Sequence, residues 1–69
     1  MNITLYTTHC PMCKVLESKL KDKNISYTEE TDVDIMKQKG FMSVPCLEID
    51  GKIFNFRASV DWVNNYKED

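Results

Sequence analysis

Two glycines, two prolines, one histidine and one tryptophan among 69 residues leave little from which to build a linker, and the chain carries no internal repeat or low-complexity segment. No apolar run approaches the roughly 20 residues of a membrane-crossing helix. The opening Met1-Asn2-Ile3-Thr4-Leu5 lacks the basic segment and long apolar stretch of a secretory leader, so a cytoplasmic protein is expected. Charge of one sign is missing as well. Nine basic residues are interleaved with eleven acidic ones for a net charge of −2, which argues against nucleic acid or a membrane surface as partner. Cysteine is scarce and odd in number: two of the three lie in one C-x-x-C, unlike the paired framework of a small secreted domain.

What is present is ordinary globular material. Hydrophobic residues make up 42% and charged ones 29%, a balance that argues against disorder. Residues 1–69 read as one small domain, near the size at which a single core barely offsets chain entropy, and a monomer is expected.

The chain is organised around Cys10-Pro11-Met12-Cys13, which follows a strand-like run and opens a helical one. Two cysteines three apart can close a small disulfide where the backbone turns sharply, and a helix start supplies both the turn and unpaired N–H groups that favour a thiolate. Pro11 suits the first helical position, where its missing N–H has no partner to lose. Cys10 is then the exposed, low-pKa nucleophile and Cys13 the more buried resolving thiol. One C-x-x-C is also half of a zinc site, or a pair of inert structural thiols. A lone histidine and no second cysteine pair weigh toward a redox dithiol.

The rest reads as alternating strands and helices. Ile3-Thr4-Leu5-Tyr6-Thr7 is β-branched and aromatic enough for a strand, with Thr8-His9 as the link to the dithiol. A helix is predicted from Pro11 to about Lys23, with Met12, Leu16 and Leu20 on an apolar stripe widened by Val15, and Glu17 facing Lys21 on the surface. Asn24 suits a left-handed stop. Residues 25–30 alternate as a second strand; Asp32 caps a short helix to about Lys39 that buries Ile35 and Met36, with Gly40 closing it. Residues 44–54 form a hairpin turning at Asp50-Gly51, with Pro45 at its entry. Ser59 is the predicted cap of a last helix to Tyr66, with Val60, Val63 and Tyr66 inward, Trp62 beside them, and a frayed Lys67-Glu68-Asp69. This order predicts an α/β fold.

Three features together resemble the glutaredoxin branch of the thioredoxin fold: the strand, Cys10-Pro11-Met12-Cys13 and helix; Ser43-Val44-Pro45 entering a hairpin; and Asp50-Gly51 in its turn. The resemblance implies a four-stranded mixed sheet flanked by about three helices. It also implies a cis Pro45 packed beside the dithiol, with Val44 offering backbone hydrogen bonds to substrate. Where glutathione-using members carry a glycine pair and acidic residues, this chain has Asn55-Phe56-Arg57-Ala58, which is more similar to the NrdH-type redoxins that reduce ribonucleotide reductase and are reduced by thioredoxin reductase. Thr8 and His9 stand where a basic residue often precedes the first cysteine.

His9 is either an aid to the thiolate or an exposed loop residue, and Lys14 either adds positive charge or lies on the surface. Cys46 is a buried thiol, a third redox group or a metal ligand. Tyr6, Phe41 and Trp62 read as core or rim aromatics. The expected function is a thiol–disulfide oxidoreductase needing no metal or organic cofactor: Cys10 attacks a protein disulfide, Cys13 resolves the mixed disulfide, and thioredoxin reductase or glutathione restores the dithiol. Val44, Pro45, His9, Thr8, Phe56 and Arg57 are the substrate-side candidates. A glutathione-dependent glutaredoxin, a metal-binding module built on Cys10, Cys13 and Cys46, and a non-catalytic adaptor are the alternatives.

Overall fold

The computed structural model describes residues 2–41 and 43–66. Strand β1 (Ile3–Tyr6) leads into helix α1 (Pro11–Asp22), followed by β2 (Thr28–Glu30), helix α2 (Val33–Gln38), β3 (Cys46–Ile49), β4 (Lys52–Phe54) and helix α3 (Phe56–Asn64). The sheet order is β2-β1-β3-β4. α1 carries the chain across to make β2 parallel to β1, whereas β3 runs antiparallel to both β1 and β4. This is the mixed, thioredoxin-like sheet expected from the sequence, and none of the described helices is long and apolar enough to cross a membrane.

Strand alternation divides the core into two layers. Ile3 and Leu5 of β1 and Leu47 and Ile49 of β3 pack with Leu16, Leu20, Ile25 and Val63, and Phe54, Phe56, Trp62 and Tyr66 border that cluster. On the other face Tyr6 and Cys46 meet Met36, with Ile35, Phe41 and Val44 around them. Phe41 sets its ring edge-on to Tyr6 at 4.8 Å, and the Tyr6 hydroxyl donates to Glu48 Oε1 at 2.7 Å. Three turns use left-handed backbone where the sequence offers tolerant residues: Asn24 (φ 56°), Gly40 (φ 81°), and the Asp50-Gly51 pair (φ 49° and 90°) that folds the hairpin.

Several boundaries differ from the sequence reading. β2 is confined to Thr28–Glu30, because Ile25 turns into the core instead of joining the sheet. The buried stripe of α1 runs through Cys13, Leu16 and Leu20, leaving Met12 and Val15 about half exposed at 49% and 46%. Ser59 does not cap α3. Asn55 does so four residues earlier, its Oδ1 accepting from Ala58 N at 2.8 Å, and Ser59 lies buried within the helix with its hydroxyl donating to Phe54 O at 3.1 Å. The helix also ends at Asn64, before Tyr66; the expected frayed tail, Lys67-Glu68-Asp69, lies outside the described residues. Asn55→Ala is therefore expected to cost about 1 kcal/mol in urea denaturation, since an N-cap side chain satisfies an otherwise unpaired helix N–H. An unchanged midpoint would overturn the cap assignment.

Candidate active site

At the end of β1 the chain continues in register for one more residue, Thr7 N donating to Glu30 O at 3.0 Å, and then turns at His9 through a positive φ of 61°. That turn delivers Cys10 to the N-cap of α1 with Pro11 in the first turn. The helix amide of Cys13 donates to Cys10 Sγ at 3.2 Å, so the cysteine sulfur takes the place of a capping oxygen. Cys10 is partly exposed, whereas Cys13 is fully enclosed. The two free thiols approach to 2.6 Å between sulfurs, with Cys10 donating, so a disulfide at about 2.05 Å needs only a small movement.

The pKa of the Cys13 thiol is lowered to about 7 from a thiol's 9.0. Burial is the largest single influence and opposes ionisation. Hydrogen bonding from the Cys10 thiol, the Thr7 hydroxyl and the backbone of Thr8 and Cys10 outweighs it. Access also differs: Cys10 is partly open to solvent at the helix cap, whereas Cys13 is enclosed.

The third strand completes the setting. The Val44–Pro45 peptide is cis, Pro45 is fully buried, and Cys46 follows it directly opposite Tyr6 on β1. Cys46 is a buried thiol that donates to Ser43 O at 3.3 Å; burial, then the charge of Cys13, pushes its ionisation up, which suits an unreactive core group. Among the described residues, the ligating-type side chains that converge within 4.8 Å are His9, Glu17 and Glu29, so Cys46 does not join the dithiol in a three-sulfur cluster. A cavity of about 200 Å³ opens beside the turn, lined by Thr8, Val33, Met36, Lys37, Phe41, Ser43 and Val44.

The other sequence candidates divide. Thr8 and Val44 share that cavity, and the Thr8 hydroxyl lies 4.0 Å from Cys13 Sγ. His9 turns to carboxylates, with Nδ1 3.3 Å from Glu17 Oε2 and Nε2 3.7 Å from Glu29 Oε1. Phe56 and Arg57 open α3; because β4 ends beside Leu47, which itself faces Leu5, they stand at the same end of the sheet as the dithiol. Phe56 is half-buried against the main core, and Arg57 is exposed. Sequence reasoning missed Thr7 and placed Glu17 in a surface pair with Lys21. Glu17 instead accepts from the buried Thr7 hydroxyl at 3.1 Å. The available signal was its spacing, four residues after Cys13 and so on the same helix face.

A small mixed sheet that presents an exposed and a buried cysteine at a helix N-terminus, beside a cis-proline strand, defines a thiol redox protein. The glutaredoxin family model matches residues 3–54. The chain is also similar to an uncharacterised glutaredoxin-like 8.6 kDa protein in the rubredoxin operon of Clostridium pasteurianum, with 37% identity over 70 residues that cover 86% of this chain and 92% of the relative. The chain belongs to the glutaredoxin family.

Proposed function

We propose that this protein is a dithiol thiol–disulfide oxidoreductase that reduces protein disulfides and is itself reduced by a flavoprotein of the thioredoxin reductase kind. The observation that carries the reading is the unequal pair: Cys10 reachable at the helix cap, Cys13 buried 2.6 Å away. Cys10 attacks a substrate disulfide and one substrate sulfur leaves as thiolate. Cys13 then attacks Cys10 Sγ, the second substrate sulfur leaves, and the Cys10–Cys13 disulfide remains for the donor to reduce. The chain's side chains supply this chemistry without a cofactor. The partly exposed Val44 beside the cavity and the apolar surface of Met12, Val15 and Val33 suit a protein segment lying beside the dithiol. Ribonucleotide reductase is one protein disulfide that such a carrier serves. The redox neighbourhood in the relative's name, a rubredoxin operon, agrees with an electron-carrying role, and a reducing cytoplasm is the compartment in which a free dithiol persists.

The donor preference rests on the start of α3. Holding glutathione there requires close backbone approach and groups to pair with its charged ends. Asn55, Phe56 and Arg57 place side chains at that end of the sheet, and packing against the core holds Phe56 in place. Thioredoxin reductase with NADPH is expected to reduce the oxidised protein faster than glutathione does at physiological concentration. The check is to compare NADPH consumption with that reductase and in a coupled glutathione reductase assay. Rapid glutathione turnover with no response to thioredoxin reductase would make the protein an ordinary glutathione-dependent glutaredoxin.

A further inference from the structure

Three side chains of metal-ligating type converge from three separate parts of the fold, and thiol–disulfide exchange uses none of them as a reacting group. His9 stands on the turn before Cys10, Glu17 on α1 and Glu29 on β2, and one ligand atom from each lies within 4.8 Å of the other two. His9 Nδ1 is 3.3 Å from Glu17 Oε2, and its Nε2 is 3.7 Å from Glu29 Oε1. The cluster is short of positive charge. Among the described residues neither carboxylate is paired with a lysine or arginine, and a protonated imidazole balances at most one of the two. Water offsets little of this at Glu17, whose side chain is only 14% exposed. A divalent cation held among the three groups balances both carboxylates and takes the imidazole in its neutral form.

We propose that His9, Glu17 and Glu29 hold one divalent first-row transition-metal ion of the zinc kind, at a site separate from the sulfurs. A tetrahedral ion with nitrogen and oxygen ligands at about 2.0–2.2 Å sets neighbouring ligand atoms about 3.4 Å apart. His9 Nδ1 and Glu17 Oε2 already have nearly that spacing. Glu17 is the fixed ligand, because its Oε2 also accepts the hydroxyl of the buried Thr7 at 3.1 Å, the kind of outer hydrogen bond that orients a ligating carboxylate. Glu29 is the adaptable one: its side chain is 38% exposed, and a movement of roughly 1 Å brings its carboxylate to the same spacing. The half-exposed His9 leaves the remaining position to water. The donor set selects the class of ion. Magnesium and calcium take oxygen ligands and gain little from an imidazole, and a site without thiolate gives soft ions no preference. A zinc-type ion here ties the turn that presents Cys10 to both α1 and β2, clipping the turn in place without carrying electrons. The site uses no sulfur and so stands independently of the dithiol chemistry.

Closing Cys10 and Cys13 as a disulfide, verified by mass, takes both thiolates out of competition; if the disulfide does not close, the chain carrying Cys10→Ser and Cys13→Ser replaces it. The full chain, stripped of metal by a chelator, is then titrated with Zn²⁺ by calorimetry and with Co²⁺ by visible absorption. One equivalent of Zn²⁺ per chain should bind and raise the thermal midpoint, because the folded chain alone brings the three ligands together. Co²⁺ should give the absorption of a nitrogen–oxygen site, with no thiolate-to-cobalt band. His9 is the single histidine of the chain, so a change in the one set of imidazole NMR signals identifies the ligand directly. His9→Ala and Glu29→Gln, both at exposed positions, should each weaken binding by more than the roughly tenfold that loss of an outer hydrogen bond costs. Glu30→Gln, next on the same strand with its carboxylate turned to the Asp32 N–H, should leave the affinity unchanged. No saturable uptake of Zn²⁺ by the unaltered chain would overturn the proposal, as would equal affinity in His9→Ala. So would Mg²⁺ bound as tightly as Zn²⁺, the mark of an acidic surface and no more, or a thiolate-to-cobalt band, which would move the ion to Cys46.

Discussion

Cys10→Ser is expected to abolish disulfide reduction, lowering turnover by at least about a thousandfold, because a serine hydroxyl at the same cap has negligible nucleophilicity at neutral pH beside a thiolate. Cys13→Ser should behave differently. Attack through Cys10 still proceeds, but no thiol stands 2.6 Å away to displace the substrate, so a mixed disulfide accumulates. Mass spectrometry of each variant after exposure to a protein disulfide reads both outcomes. Adduct found on Cys13 in the Cys10→Ser chain would reverse the assignment, and would mean that the enclosed thiol is more accessible than its burial indicates.

The second large effect concerns stability. Leu47 has no exposed surface, lies between Leu5 on β1 and Phe54 on β4, and belongs to the main core cluster. Leu47→Ala removes its apolar contacts and leaves a cavity that neighbouring strands cannot close, at a cost of about 2–5 kcal/mol. For a chain of this size, total stability is on the order of 3–10 kcal/mol, so the variant should be largely unfolded or melt far below the parent. Ile53→Ala, on the same hairpin with 48% exposure, should change stability by roughly half a kcal/mol or less. Urea denaturation followed by circular dichroism checks the pair. Equal effects at the two positions would show that the hairpin contributes little to the core.

The function test and these variants depend on features that were legible to different degrees. The dithiol and its neighbouring elements could be read directly, because C-x-x-C, Asp50-Gly51 and the Asp32 cap are local: each depends on the intrinsic geometry of two to four consecutive residues. Asn55 was overlooked because Ser59 offered an equally good local signal. The choice between them was made by packing, which drew Phe56 and Val63 onto one core and so started the helix earlier. Met12 likewise satisfied the helical period and still remained outside, since the rotation of α1 against the sheet is set by Leu16 and Leu20 reaching the β1 and β3 side chains.

The chain by itself determined the fold class, the order of strands and helices, and which two sulfurs would stand at a helix start. Those follow from periodicity, capping and turn chemistry between near neighbours in sequence. Helix position already marked Cys10 as the more exposed thiol; tertiary structure decided how completely Cys13 is enclosed. Cys13 is enclosed because Leu16 and Leu20 press that face of α1 onto the sheet, and its ionisation is opposed by that burial and favoured by hydrogen bonding, first from Cys10 across one helical turn. It also decided that Glu17 looks inward to Thr7 and His9 and that Cys46 is shut in opposite Tyr6. Burial and these side-chain contacts depend on groups distant in sequence meeting at a few ångströms, and no local pattern encodes those distances.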